Sequence, residues 1–147
     1  RPADSNRSEA GGEMCALQMI SAPEAVFNDP WIIETDGSGL NAHPPTVFRV
    51  LNAPKSIEIC TRMRKRALVE GNSDGYVVSV VQAGREERLI ERMSVLPKQL
   101  NQESCITAAL PPPTADGEVQ VRIEPGGNSA WDWVYVSKFK PQYASAP

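Results

Sequence analysis

The sequence predicts an all-β fold, an antiparallel sandwich, and three features carry that prediction. Apolar and β-branched residues fall in short runs that alternate with polar ones, the period of a half-buried strand. Thirteen prolines and ten glycines cut these runs about every 8–15 residues, the turn spacing of sandwich folds. The length of 147 residues fits one domain, able to bury roughly two-thirds of its unfolded surface around one core.

Residues 1–13 are polar, with Gly and Pro and no periodicity, and read as a flexible N-terminal arm. The sandwich domain is expected over residues 14–141, with residues 142–147 as a C-terminal tail. Short strand candidates lie at 15–20 and 31–35. Residues 46–51, TVFRVL, follow a Pro-Pro stop. In SIEICTRM, 56–63, Ile57, Ile59, Thr61 and Met63 share one face. YVVSVV, 76–81, is a β-branched run between Asp74-Gly75 and Ala83-Gly84. CITAAL, 105–110, ends at three prolines. EVQVRIE, 118–124, alternates cleanly, with Val119, Val121 and Ile123 on one side. Residues 85–96 are ambiguous: Leu89, Met93 and Leu96 stand at helical spacing, yet a strand pair fits equally. At most one short helix is expected.

The closing run, SAWDWVYVSKFK, raises the question of whether Trp131 and Trp133 form a binding site or a core strand. In a strand, Trp131, Trp133 and Tyr135 share one face while Asp132, Val134 and Val136 share the other. Both faces are then largely apolar or aromatic, so the strand reads as central and Trp131, Trp133 and Tyr135 as structural core. A sugar-stacking platform is the alternative.

Hydrophobic residues make up 41% and charged residues 22%, with a net charge of −3, and the isoelectric point is near 5.2. This is globular composition, and it lacks the basic footprint of a general nucleic-acid binder. No apolar run reaches the roughly 20 residues a membrane helix needs. The start, Arg1-Pro2, fits a secreted or periplasmic protein whose signal peptide has been removed, or a trimmed chain.

Catalytic machinery is not visible, and the chain reads as a non-enzyme. The one histidine, His43, precedes two prolines, and no nucleophile elbow or phosphate-binding loop occurs. Glu86, Glu87 and Glu91 read as a solvated face. Three cysteines, Cys15, Cys60 and Cys105, leave at least one unpaired. Cys60 and Cys105 both lie in strand-like runs and can bridge; three buried thiols are the alternative. With no C-x-x-C and one His, the usual zinc sites are excluded.

Four stretches carry a resemblance over residues 36–140: GSGLNAHPPTVFRVL, NSDGYVVSVVQAG, DGEVQVRIEPGGN and SAWDWVYVSKFK. In their order and turn pattern they resemble the galactose-binding-like jelly roll of NPCBM-like carbohydrate-binding modules. The resemblance implies a jelly-roll topology with sites on loop tips. The residues it puts forward for sugar binding are Trp31, Asp36, Asn41, His43 and Asn128. It also implies that a structural calcium on loop oxygens such as Asp36 or Asp74 is compatible with the fold; no cofactor is demanded. The closing pattern departs from the family, because no His follows Asp132.

Arg62, Arg64, Lys65 and Arg66 form a local cationic patch on an acidic protein. Two functions from different classes follow. The first is an accessory, extrinsic subunit docking on a larger, membrane-associated protein assembly through Arg62, Arg64, Lys65 and Arg66. The second is a carbohydrate-binding module. The plainer reading of the patch is an edge strand shielded by charge from further pairing.

Overall fold

The computed structural model describes residues 16–22, 40–42, 44–63, 71, 73–127 and 134–144. Among these run nine strands: β1 (Leu17–Ser21), β2 (Leu40–Ala42), β3 (Thr46–Val50), β4 (Ser56–Met63), β5 (Tyr76–Ala83), β6 (Arg88–Val95), β7 (Ser104–Ala109), β8 (Glu118–Pro125) and β9 (Val134–Gln142). The described helix is a single 3-10 turn, Pro97–Gln99. One sheet has the order β1-β3-β8-β5-β6 and the other β2-β9-β4-β7. Every pairing is antiparallel. The fold is an antiparallel jelly-roll β-sandwich. β9 runs through Gln142, whose carbonyl accepts from the Lys55 amide at 2.8 Å, so the sandwich extends one residue past the expected boundary at 141.

The alternation read from the sequence sets the inner faces. Val121 and Ile123 of β8 pair with Phe48 and Thr46 of β3 on one side and with Val80 and Val78 of β5 on the other. All six side chains are buried. From the facing sheet come Ile57, Ile59 and Met63 of β4, Val134, Val136 and Phe139 of β9, and Ile106 and Ala108 of β7. β9 stays in register with β4 by bulging between Val136 and Lys138. That keeps both Val136 and Phe139 inward although they are an odd number of residues apart.

A polar bond between described residues crosses the core. The Thr61 and Tyr76 hydroxyls, on opposite sheets, are 2.9 Å apart, and both residues are buried. Burial pushes the Tyr76 phenol up from 10.0 to about 12, while the Thr61 bond pulls the other way. Below the ordinary value both folded and unfolded chains keep the proton. As pH rises from 10.0 toward about 12, only the unfolded chain loses it. Stability is therefore lost through that window, by about 3 kcal/mol in all. Tyr76→Phe is expected to cost about 1–3 kcal/mol at neutral pH, because Thr61 loses its partner. It should also blunt the alkaline loss. Urea melts of both proteins at neutral and alkaline pH check the pair of effects.

Residues 85–96 form the hairpin partner of β5 rather than a helix. Their apolar stripe is too thin to hold a helix against the core, whereas pairing with β5 satisfies a whole strand of backbone groups. Ile90, Met93 and Val95 reach the core. The turn into the hairpin and the turn into β5 both rely on glycine. Gly75 has φ +104, and a Cβ there would run into the Val95 carbonyl, so only glycine fits.

β6 is also an outer edge of its sheet, with Arg88, Glu91 and Arg92 exposed. A second copy pairing with it across a two-fold axis must set one residue opposite itself. Centred on Arg88, Glu91 or Arg92, a charge meets its own kind. Centred on Leu89, Glu87 meets Glu91; centred on Ile90, Arg88 meets Arg92. Each central register is thus opposed by like charges. Arg88→Glu turns the Ile90-centred register into two Glu–Arg pairs and is expected to raise the dimer fraction. Sedimentation at high protein concentration measures it, and an unchanged monomer contradicts the reading.

Candidate functional site

At the end of the sandwich where β3, β5 and β7 finish, the loops over 51–55, 84–87 and 110–117 come together. The hairpin turn after β5 faces the turn before β8 across an open depression of about 280 Å³. Its polar lining is Gln82, Arg85, Glu86, Thr114 and Asp116. Its floor is small: Ala83, Gly84 and Gly117. The closeness of the two turns explains Gly84, because a Cβ there would lie 2.8 Å from the Asp116 carbonyl oxygen. A bridge between Thr114 and Gly117 closes the second turn, with the Gly117 amide donating to the Thr114 carbonyl at 3.4 Å. Beside it lies a smaller cleft of about 150 Å³ under Pro111, Pro112 and Pro113, with Glu118 on its wall.

Glu118 leads from this end onto the outer face of the five-stranded sheet. Arg49 Nε donates to Glu118 Oε1 at 2.7 Å and Arg49 Nη1 to Gln18 Oε1 at 3.0 Å. Gln120 Nε2 donates to Glu118 Oε2 at 2.7 Å. Arg122 Nε and Nη2 donate to Gln120 Oε1 at 3.1 and 3.0 Å, and Arg122 Nη1 meets Glu87 Oε1 at 2.8 Å. The result is a connected ladder of flat polar side chains. Hydrogen bonds from Gln120 and then Arg49 hold the Glu118 carboxyl below its ordinary range. Its stabilising contribution is therefore present above the unfolded value and is lost as pH falls through the depressed one.

The residues singled out in the sequence fare unevenly. Trp31, Asp36, His43, Asn128, Trp131 and Trp133 lie outside the described residues, as do Arg64, Lys65 and Arg66. Asn41 lies within strand β2, paired with Tyr135, and not on a loop tip. Tyr135 is fully buried, but it shares its row with Arg62. That row alternates with the inward-facing Val134 and Val136, so the ring lies on the outer side of its sheet. The Arg62 guanidinium carbon sits 4.7 Å from the centre of the Tyr135 ring, a cation–π contact. β4 is flanked by both β9 and β7 only over Ser56–Thr61; Arg62 pairs with β9 alone.

Cys60 and Cys105 stand directly opposite on β4 and β7 and are joined by a disulfide. Among the described residues, Glu58 with these two cysteines is the group close enough to hold a metal, but the bridge consumes both thiolates. The Asp74 carboxylate packs on the Gly126–Gly127 turn, where an added Cβ would lie 2.9 Å from Oδ1 and 2.6 Å from Oδ2 respectively. No described helix is long and apolar enough to cross a membrane.

The polar end site was missed in the sequence because its parts are distant along the chain. Pro111-Pro112-Pro113 read only as the stop after CITAAL. The outward residues of EVQVRIE were visible as a polar face, but not their cross-strand partners.

No protein-family model and no curated protein matches the chain. Solved structures do. One holds the CBM51-2 and INT domains of ZmpB from Clostridium perfringens, with a TM-score of 0.55 and 11% identity, covering 85% of this chain and 25% of that one. Another holds CBM51-2 in complex with GlcNAc together with the INT domains, with a TM-score of 0.54 and 10% identity, covering 90% and 28%. The chain thus spans about a quarter of the length of these structures. At such identities the likeness is one of fold: this chain shares the β-sandwich of structures that contain a carbohydrate-binding module.

Proposed function

We propose that the chain is a non-catalytic glycan-binding module of an extracytoplasmic protein, with its ligand seat in the depression between the 84–87 hairpin and the 114–117 turn. The observation that carries this reading is the convergence of Gln82, Arg85, Glu86, Thr114 and Asp116 on one small depression. Sugar hydroxyls both donate and accept. Carboxylates at Asp116 and Glu86 accept from them, and Arg85 donates. The Thr114 hydroxyl does either. The floor of Ala83, Gly84 and Gly117 lets the apolar side of a ring approach backbone closely. The volume of about 280 Å³ is at the lower end of small-molecule sites, roughly 300–1,000 Å³, which suits one sugar unit.

The disulfide supports an oxidising, extracytoplasmic location. The likeness to a structure with bound GlcNAc supports testing that sugar first. A dozen or so heavy atoms at about 0.3 kcal/mol each give about −4 kcal/mol, a Kd near 1 mM. Asp116→Ala is expected to weaken this binding at least about tenfold without changing the melting temperature, since the loss of one charge-assisted bond is worth about 1.5–3 kcal/mol. Isothermal titration of both proteins with GlcNAc, galactose, glucose and mannose measures it. If none of the four binds, or if Asp116→Ala binds as the parent does, the site is wrong. Docking on an assembly through residues 62–66 has one described residue behind it, Arg62, and its guanidinium already covers Tyr135.

A further inference from the structure

Glu118 belongs to two features at once. It walls the smaller cleft beside the depression and anchors the polar ladder. The ladder's far member, Glu87, is next in sequence to Glu86 of the depression. We propose that the outer face of the five-stranded sheet is a second glycan subsite, continuous with the depression, that takes an uncharged oligosaccharide along Glu118, Gln120 and Arg122. The proposal rests on the glycan reading and adds chain length as its specificity.

Geometry carries the argument. One row crosses all five strands: Gln18, Arg49, Gln120, Val81 and Leu89 are successive pairing partners. In it Val81 is 3% exposed and neighbouring Ser79 is 7% exposed although both face outward. The long ladder side chains therefore lie flat across the sheet and leave a level surface. Glu118, Gln120 and Arg122 alternate along one side of β8 and cover about 13 Å, more than one sugar unit needs. Each side chain is held by the next, so little rotamer entropy is lost when a ligand arrives.

The chemistry selects the occupant. Arg49 and Arg122 are balanced by Glu118 and Glu87, so a polyanion or polycation meets no net charge here. The amides of Gln18 and Gln120 and the guanidinium of Arg122 offer donors and acceptors side by side, which hydroxyls match and hydrocarbon does not. A protein partner wants buried aromatic or aliphatic anchors; the exposed apolar side chain of this row is Leu89, 56% exposed, at its outer end. There it can meet the C–H side of a terminal ring.

The test titrates the intact chain with linear oligomers of one to four units of GlcNAc, glucose, galactose and mannose, followed calorimetrically. For the series that binds, the trimer is expected to bind at least about tenfold tighter than the monomer, the equivalent of one added charge-assisted bond. Gln120→Ala should remove this gain and leave monomer affinity within twofold. Arg122→Lys keeps the charge but loses the planar fork, and should remove most of the gain with the thermal transition unchanged. Equal binding of monomer and trimer, or a length gain that survives both variants, overturns the subsite while leaving the end depression in place. Absence of binding in every series overturns both readings.

Discussion

Phe48→Ala is expected to remove about 3–5 kcal/mol of stability, the range for deleting a fully buried aromatic ring. Phe48 is the middle residue of β3, is fully buried, and pairs with Met19 of β1 and Val121 of β8. Strands close on it from both sides within its sheet, and the facing sheet closes above, so the cavity has few ways to collapse. A domain of this size holds about 5–15 kcal/mol in all. The variant should therefore unfold at much lower urea with an unchanged denaturant slope. A loss below about 1 kcal/mol would mean that the site relaxes and that the packing described for β3 is incorrect.

Loss of the Cys60–Cys105 bridge is the second large effect. The cysteines are 45 residues apart, and closing a loop of that length restricts the unfolded chain by about 4 kcal/mol in the loop-entropy treatment. Cys60 is buried while its partner is exposed, so reductant reaches the bridge from the Cys105 side. A Cys60→Ala/Cys105→Ala double variant avoids leaving a lone thiol. Its urea midpoint should fall, and the difference should vanish when the parent protein is measured under strong reductant. Equal stability of the parent with and without reductant would show that the bridge contributes little.

Much of the sandwich could be read along the chain because its signal is local. EVQVRIE and TVFRVL carry their period within a few residues, and the inner faces of β8 and β3 follow directly. The opposite case is 85–96, where Leu89, Met93 and Leu96 match a helix by spacing. That stretch became a strand because β5 needed a partner, a demand placed from outside the segment. Tyr135 shows a third situation. The sequence grouped it with the core, and it is indeed buried, yet on the outer side of its sheet under Arg62. Period-2 reading says which residues share a face, and only the register with β4 says which face that is.

The site was less legible than the fold for the same physical reason. Gly84 and Asp116 meet only because β5 and β8 are neighbours, and nothing near either residue announces the other. The ladder is likewise assembled from β1, β3, β8 and the 84–87 turn. Loop-tip choices made by family resemblance pointed to Trp31, Asp36, His43 and Asn128. All four lie outside the described residues.

The most direct test of the account is an amide-resolved NMR titration of the isotopically labelled chain with the four monosaccharides. The account predicts saturable shifts for at least one sugar, concentrated at Gly84, Arg85, Asp116 and Gly117, with little change at Gly75 and Gly126 at the opposite end. Saturable shifts confined to that opposite end, or no saturable shift with any of the four, would contradict it.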